Sequence, residues 1–267
     1  MKIDNSRASL FRKCPYAYWE RYVNNLARIP TDSSPLELGT RVHQLLEEHY
    51  CQLKGAPIVP FPPSELQAIE DEAQYIVASY IGHYPMEPFT PVDCEKYFEV
   101  EIPGTGHTLI GEIDMVVRKN DTQRLAIFET KTEKRGSNNN SEKAWAMRPQ
   151  VGLYKWAASQ VYGEEVEGII LNVISRASEK GQMAPTFRRD DLDRSPVQIA
   201  EALSDIVYWA DQIERCSKEV PPGQPWPANR DRCVEGFMEC SFYPLHLQNR
   251  GEELLRLYQP AKEYLEF

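Results

Sequence analysis

Two short apolar runs near the middle of the chain end in charge. Leu109-Ile-Gly-Glu-Ile-Asp114 closes on a carboxylate, and Leu125-Ala-Ile-Phe-Glu-Thr-Lys131 closes on Glu129 and Lys131. Both have the length and the Ile, Leu and Phe content of strands, and the polar stretch Lys119-Asn-Asp-Thr-Gln123 between them is a turn signal. Folded as an antiparallel hairpin centred near Asp121, residue 114 falls opposite residue 129, and Lys131 shares the face of Glu129. Three ionisable groups on one face of a buried hairpin are costly to desolvate unless something compensates. A divalent cation bridging Asp114 and Glu129, with Lys131 beside it, would do so. An ordinary cross-strand salt bridge at a sheet edge is the other reading of the same residues.

The chain has 267 residues, enough for one substantial core, and its 42% hydrophobic and 26% charged content is that of a globular protein. No apolar run approaches a membrane span, and Met1-Lys-Ile-Asp-Asn-Ser6 lacks an apolar signal region, so the expected compartment is the cytoplasm. There a disulfide scaffold is not expected: of the six cysteines, clustered ones would bind metal and Cys51, Cys94 and Cys216 read as structural thiols. A net charge of −10 argues against a protein that coats nucleic acid broadly. A local groove remains open, because Lys131, Lys134, Arg135, Lys143 and Arg148 face only Glu133 and Glu142 within residues 131–148, and Arg188 and Arg189 make a second basic point. Solvated surface charge is the plain alternative for both.

The periodicity predicts helices over 6–25 (broken or kinked at Pro15), 36–53, 64–83, 143–161 and 196–216, the last capped by Ser195 with Pro196 at its first position. Strands are expected at about 96–102, 108–118, 124–131 and 166–174, and Gly136–Ser141 as a loop. This order indicates an α/β core within helical N- and C-terminal segments.

Read together, Gly111-Glu-Ile-Asp114, Glu129-Thr-Lys131 and Gln150-Val-Gly-Leu-Tyr154 resemble the PD-(D/E)XK nuclease superfamily, and specifically its branch of RecB-type and CRISPR-adaptation nucleases. Ser9-Leu-Phe-Arg-Lys-Cys-Pro-Tyr-Ala-Tyr-Trp19 is similar to that branch's opening helix and Gly39-Thr-Arg-Val-His43 to its histidine motif. Trp226–Cys233 and Cys240–His246 are similar to its iron–sulfur closing segment. The resemblance implies a restriction-endonuclease-like core, a mixed central sheet flanked by helices, with an N- and C-terminal helical shell. It implies one nuclease domain over 1–267: a helical part at 1–90, the catalytic α/β core at 95–175, and a helical part with the cysteine segment at 176–267. The implied activity is divalent-metal-dependent hydrolysis of DNA, in repair or recombination, phage or CRISPR-related processing, with DNA and a helicase or other DNA-processing protein as partners and no membrane.

The resemblance also assigns roles. Asp114 and Glu129 are hard oxygen ligands for Mg2+ or Mn2+. His43, on an inward stripe with Gly39, Leu46 and Tyr50, joins them by the family's pattern, as does the Thr130 carbonyl; the imidazole favours manganese. Without the resemblance, His43 reads as a satisfied core histidine. Lys131 stabilises the transition state or orients the attacking water. Gln150 and Tyr154, one helical turn apart, position substrate, helix packing being the alternative. Glu47 and Glu48, and the alternating Glu99 and Glu101, read as solvent-facing, although the latter pair could lend a second-metal ligand. Cys14, Cys233 and Cys240 match the family's cluster ligands, but His246 holds the fourth position, which leaves a 4Fe-4S cluster, structural zinc or no metal. Two other readings stand beside the nuclease: a nucleic-acid-binding or assembly subunit of a larger DNA-processing complex, and a zinc-binding interaction protein with an incidental hairpin salt bridge.

Overall fold

The structure is a computed structural model describing residues 1–29, 34–55, 60–134, 141–176, 184–235, 238–247 and 251–261. The Gly136–Ser141 loop lies outside these except for Ser141, as does Arg135. In chain order the elements are β1 (Lys2–Ile3), α1 (Asn5–Lys13), α2 (Pro15–Tyr18) running into a π-turn at Trp19–Val23, β2 (Leu26–Arg28), α3 (Ser34–Lys54) and α4 (Gln67–His83). There follow β3 (Phe89–Ile102), β4 (His107–Lys119), β5 (Leu125–Lys134), α5 (Glu142–Trp145), α6 (Pro149–Tyr162), β6 (Val166–Arg176), β7 (Thr186–Leu192) and α7 (Pro196–Glu219). The chain ends in β8 (Val234–Glu235), β9 (Met238–Glu239), α8 (Tyr243–Leu247), α9 (Glu252–Leu255) and β10 (Tyr258–Pro260).

Local chemistry sets most of these boundaries. Asp4 caps α1 by accepting from the Arg7 amide at 2.6 Å, and Pro15 opens α2 where its missing N–H is harmless. The helix expected over 143–161 is two helices, because Pro149 cannot donate inside a helix and instead starts α6. Gly163, at φ 67°, ends α6 in the left-handed conformation. Ser195 caps α7, its hydroxyl accepting from the Gln198 amide at 3.3 Å. Strand β7 went unpredicted: Thr-Phe-Arg-Arg-Asp-Asp-Leu has little apolar content, and it is held by antiparallel pairing to β6 rather than by propensity.

The chain forms two compact units. One comprises Met1–Thr31, Pro103–Thr108 and Ser204–Phe267, in which β10 pairs antiparallel with β2 and β8 with β9. The other comprises Asp32–Ile102 and Leu109–Leu203 and carries the strands β3–β4–β5–β6–β7 side by side in that order. The β4/β5 and β6/β7 pairs are antiparallel and β5/β6 is parallel, so this is a mixed sheet. One face buries Met115, Val117, Ala126, Phe128, Ile170 and Ile174 against Leu38, Val42, Leu46 and Tyr50 of α3 and Ile76 and Tyr80 of α4. On the opposite face α6 buries Val151, Leu153, Ala157 and Ala158. The hairpin register is that expected from the turn: Met115 pairs with Phe128 and Arg118 with Leu125. Among the described residues, no helix is long and apolar enough to cross a membrane.

Candidate active site

The paired ladder of β4 and β5 stops at Met115–Phe128. One residue further, the Asp114 carboxylate accepts the Thr130 amide proton at 2.7 Å. A side chain has taken the place of a backbone acceptor, so the strands part and leave a notch. Asp114 sits in that notch and is reachable from both sheet faces. From the α6 face, Glu129 lies buried at 2% exposure. Its Oε1 meets Lys131 Nζ at 2.6 Å and accepts from Gln150 Nε2 at 3.0 Å, while Oε2 is buried without a hydrogen-bond partner among the described residues. From the α3 face, His43 Nδ1 comes within 3.8 Å of Asp114 Oδ2. Gly39, one turn before His43, allows this approach: a Cβ there would lie 2.9 Å from Thr132 Oγ1 on β5.

Burial and like charge dominate the electrostatics. Desolvation pushes the Asp114 carboxyl above its ordinary range, against the opposing pull of Lys131 and the Thr130 amide. Desolvation and then Asp114 push Glu129 up, while Lys131 and His43 oppose. Burial alone would lower Lys131, but Glu129 and Asp114 outweigh it, so the ammonium is held charged. His43 is driven down to about 4 by burial and then by Lys131, so its imidazole is neutral at pH 7 and free to act as a ligand. A cavity of about 20 Å³, room for one water or ion, is lined by His43, Asp114, Thr130, Glu47, Glu95, Cys94 and apolar neighbours.

The remaining expected residues divide. Tyr154 sets its ring edge-on to Phe98 with centroids 5.5 Å apart, over Gly111, where a Cβ would come within 2.6 Å of the Phe98 ring. Arg148 stacks over Trp145 at 4.5 Å. The second basic point is corrected. Arg189 is a buried strut, bonded to Glu87 at 2.6 Å and lying 3.6 Å over the Tyr84 ring, and Arg188 pairs with Asp190 at 2.7 Å. Arg189 is thus committed within the fold, whereas Arg188 stays exposed. Glu99 and Glu101 are exposed, whereas Glu47, expected on a solvated face, lines the His43 cavity.

Two residues escaped the sequence reading. Asn172 on β6 is fully buried and donates to Thr130 Oγ1 at 3.2 Å, fixing the residue between Glu129 and Lys131. Glu95 on β3 stands at φ 42°, and burial followed by Asp114, Glu47, Glu112 and Glu129 pushes its carboxyl up to about 9. A signal for Glu95 existed: the buried phase of β3 runs through Phe89 and Pro91, then through Phe98 and Ile102, so an odd residue is inserted between.

In the first unit, Cys233 Sγ lies 3.6 Å from His246 Nδ1, and the His246 ring stacks on Tyr16 with centroids 4.7 Å apart. Cys14 is buried and accepts from the Asn229 amide at 3.4 Å. Burial raises the Cys233 thiol, and Cys240 and Cys14 raise it further, which places the three thiols within electrostatic reach of one another.

A mixed sheet whose fork gathers Asp, Glu and Lys, with helices on both faces, defines a restriction-endonuclease-like nuclease core. The profile of the PD-(D/E)XK nuclease superfamily matches residues 5–242, and the chain belongs to that superfamily. Among solved structures it is similar to a protein from Eubacterium rectale described provisionally as an exonuclease, with TM-score 0.54, 16% identity and 92% of each chain covered. It is also similar to LHK-Exo, solved in complex with dAMP, at TM-score 0.30 and 14% identity, covering 68% of this chain and 91% of that one. No curated protein sequence matches the chain.

Members of the superfamily generally use divalent metals such as Mg2+. Among the described residues, no three His, Cys, Asp or Glu side chains stand in a geometry that holds an ion as they are. The candidate set fits one by its chemistry: two carboxylates and a neutral imidazole, a buried Glu129 oxygen lacking any partner among the described residues, and a cavity of ion size. The cysteine set has ligand chemistry suited to zinc as well as to a cluster.

Proposed function

We propose that the chain is a divalent-metal-dependent deoxyribonuclease of the RecB-type and CRISPR-adaptation branch, acting in the cytoplasm. The observation that carries this is the fork of β4 and β5. There Asp114, Glu129, Lys131 and His43 converge, and the buried Glu129 Oε2 has no partner among the described residues. A sheet-edge salt bridge would leave no such oxygen.

His43, Asp114, Glu129 and the Thr130 carbonyl would hold Mg2+ or Mn2+. Bound there, the ion would lower the pKa of an attacking water and neutralise charge on the phosphate. Lys131, kept charged by its two carboxylate neighbours, orients the water or stabilises the pentacoordinate phosphorus. The water oxygen bonds to phosphorus, the bridging P–O bond breaks, and the leaving oxygen takes up a proton. Gln150 fixes one Glu129 oxygen through its amide, which leaves the other for the ion. Gln150 and Tyr154, one turn apart on α6, would border the scissile phosphate, and Arg148 is the near cation for a flanking one. Cys14, Cys233, Cys240 and His246 would serve as a structural clip, with no step of the reaction passing through them. The chain carries no helicase motif, so unwound DNA would come from a helicase or other DNA-processing partner.

The test is incubation of the isolated chain with linear, circular, single- and double-stranded DNA in Mn2+, Mg2+ or chelator. Cleavage is expected with either metal, at least as fast in Mn2+, and none in chelator or with Asp114→Ala. Full activity in excess chelator would remove the metal mechanism. Binding of DNA without cleavage under every condition would turn the reading to an assembly subunit.

A further inference from the structure

Strand β3 does something at Glu95 that an ordinary strand has no reason to do. Its inside–outside alternation changes phase between Pro91 and Phe98, and Glu95 takes φ 42°, a conformation that residues other than Gly rarely adopt. A bulge of this kind re-aims one side chain, and here that side chain lines the cavity formed by His43, Asp114 and Thr130. The charges acting most on it, from Asp114, Glu47, Glu112 and Glu129, are all negative. Directing a fifth carboxylate into such a place is unfavourable unless a cation occupies it. The buried Glu129 Oε2, unpartnered among the described residues, independently calls for one.

We propose that Glu95 is a further ligand of the cation held by His43, Asp114 and Glu129, delivered to it by the β3 bulge. The proposal rests on the metal-dependent reading above. The cavity that His43, Asp114 and Glu95 line has a volume of about 20 Å³, room for one ion, and Glu129 would share that single ion through the fork beside Asp114. An additional anionic ligand would make the site select hard divalent cations by charge as well as by geometry. It would also bind the edge strand β3 to the hairpin whenever the ion is present.

Calorimetric titration with Mn2+, on the full chain without DNA, tests this. Wild type is expected to bind one Mn2+, Asp114→Asn to lose binding at least 100-fold, and Glu95→Gln to lose it roughly 10-fold or more. Glu99→Gln, exposed on the same strand, should match wild type. The rise in melting temperature on adding Mn2+ should shrink for Glu95→Gln, while its metal-free melting temperature stays at or above that of wild type, because a repelled carboxylate has been removed. Wild-type affinity in Glu95→Gln beside a weakened Asp114→Asn would overturn the Glu95 assignment and leave the metal reading standing. Wild-type affinity in both would overturn the metal reading itself. Two ions in wild type and one in Glu95→Gln would overturn the shared single site.

Discussion

The approach of α3 to β5 gives a sharp test of how packing sets the chemistry. In Gly39→Ala the new methyl would stand 2.9 Å from Thr132 Oγ1, where ordinary contact begins at 3.4 Å. The backbone of α3 must lift by about half an ångström. Overpacking of this kind costs about 1–3 kcal/mol, and Ala in place of Gly within a helix returns about 1 kcal/mol. Net destabilisation is therefore about 2 kcal/mol at most, readable as a small fall in the urea midpoint. The functional effect should be larger. His43 is one turn further along and already 3.8 Å from Asp114, so the lift would withdraw the imidazole from the proposed ion. A misplacement of about 1 Å in a catalytic group costs on the order of 100-fold, and half of that about 10-fold. Cleavage of labelled DNA and Mn2+ affinity should both drop by roughly that factor. Thr132→Ala removes the obstructing oxygen, so the double variant should recover most of the loss while Thr132→Ala alone stays near wild type. Wild-type cleavage and affinity in Gly39→Ala, or no recovery in the double variant, would refute the claim that this contact sets the position of His43.

Lys131→Ala should keep Mn2+ affinity within a few-fold of wild type and lose cleavage by 100-fold or more, whereas Glu129→Ala loses both; native turnover in Lys131→Ala would reduce the lysine to a structural partner. Glu70 is buried, and Arg41, bonded to it at 2.6 Å, draws its carboxyl down from 4.5 to about 2. Its contribution, on the order of 3 kcal/mol by linkage, is thus full above pH 4.5 and lost as pH falls towards 2. Urea titrations across that window should show a slope that Glu70→Gln flattens, and an unchanged slope would remove the pair from the acid response. If Cys14, Cys233, Cys240 and His246 hold metal, protein purified without oxygen should contain iron or zinc, and Cys233→Ala should lose that metal and melt several degrees lower while its residual folded fraction still cleaves. Equal metal content and melting temperature in the variant would show that the cysteines bind nothing.

Much of the β4/β5 hairpin was legible in order of residues alone, because its information is local. Alternation and the polar turn set the β4/β5 register, and Pro, Ser and Gly placed at helix ends set their boundaries, since each acts on its own few dihedrals. The Pro149 break lay within reach of the same reasoning, from its missing N–H. Non-local terms supplied the rest. Alternation put Asp114 on one face with Glu129. In the folded chain Asp114 instead takes the Thr130 amide and holds the strands apart, which lets His43 reach it from the other side of the sheet. Arg189 reads as surface charge until the pairing of β7 with β6 turns it inward onto Glu87 and Tyr84. Glu95 falls just before the strand expected at 96–102, and only the bend of β3 turns it into the cavity. The sequence by itself determined which groups exist and which segments carry them. Tertiary structure decided which of them meet, because a side chain's neighbours across a packed sheet depend on the helices laid over it and not on spacing along the chain.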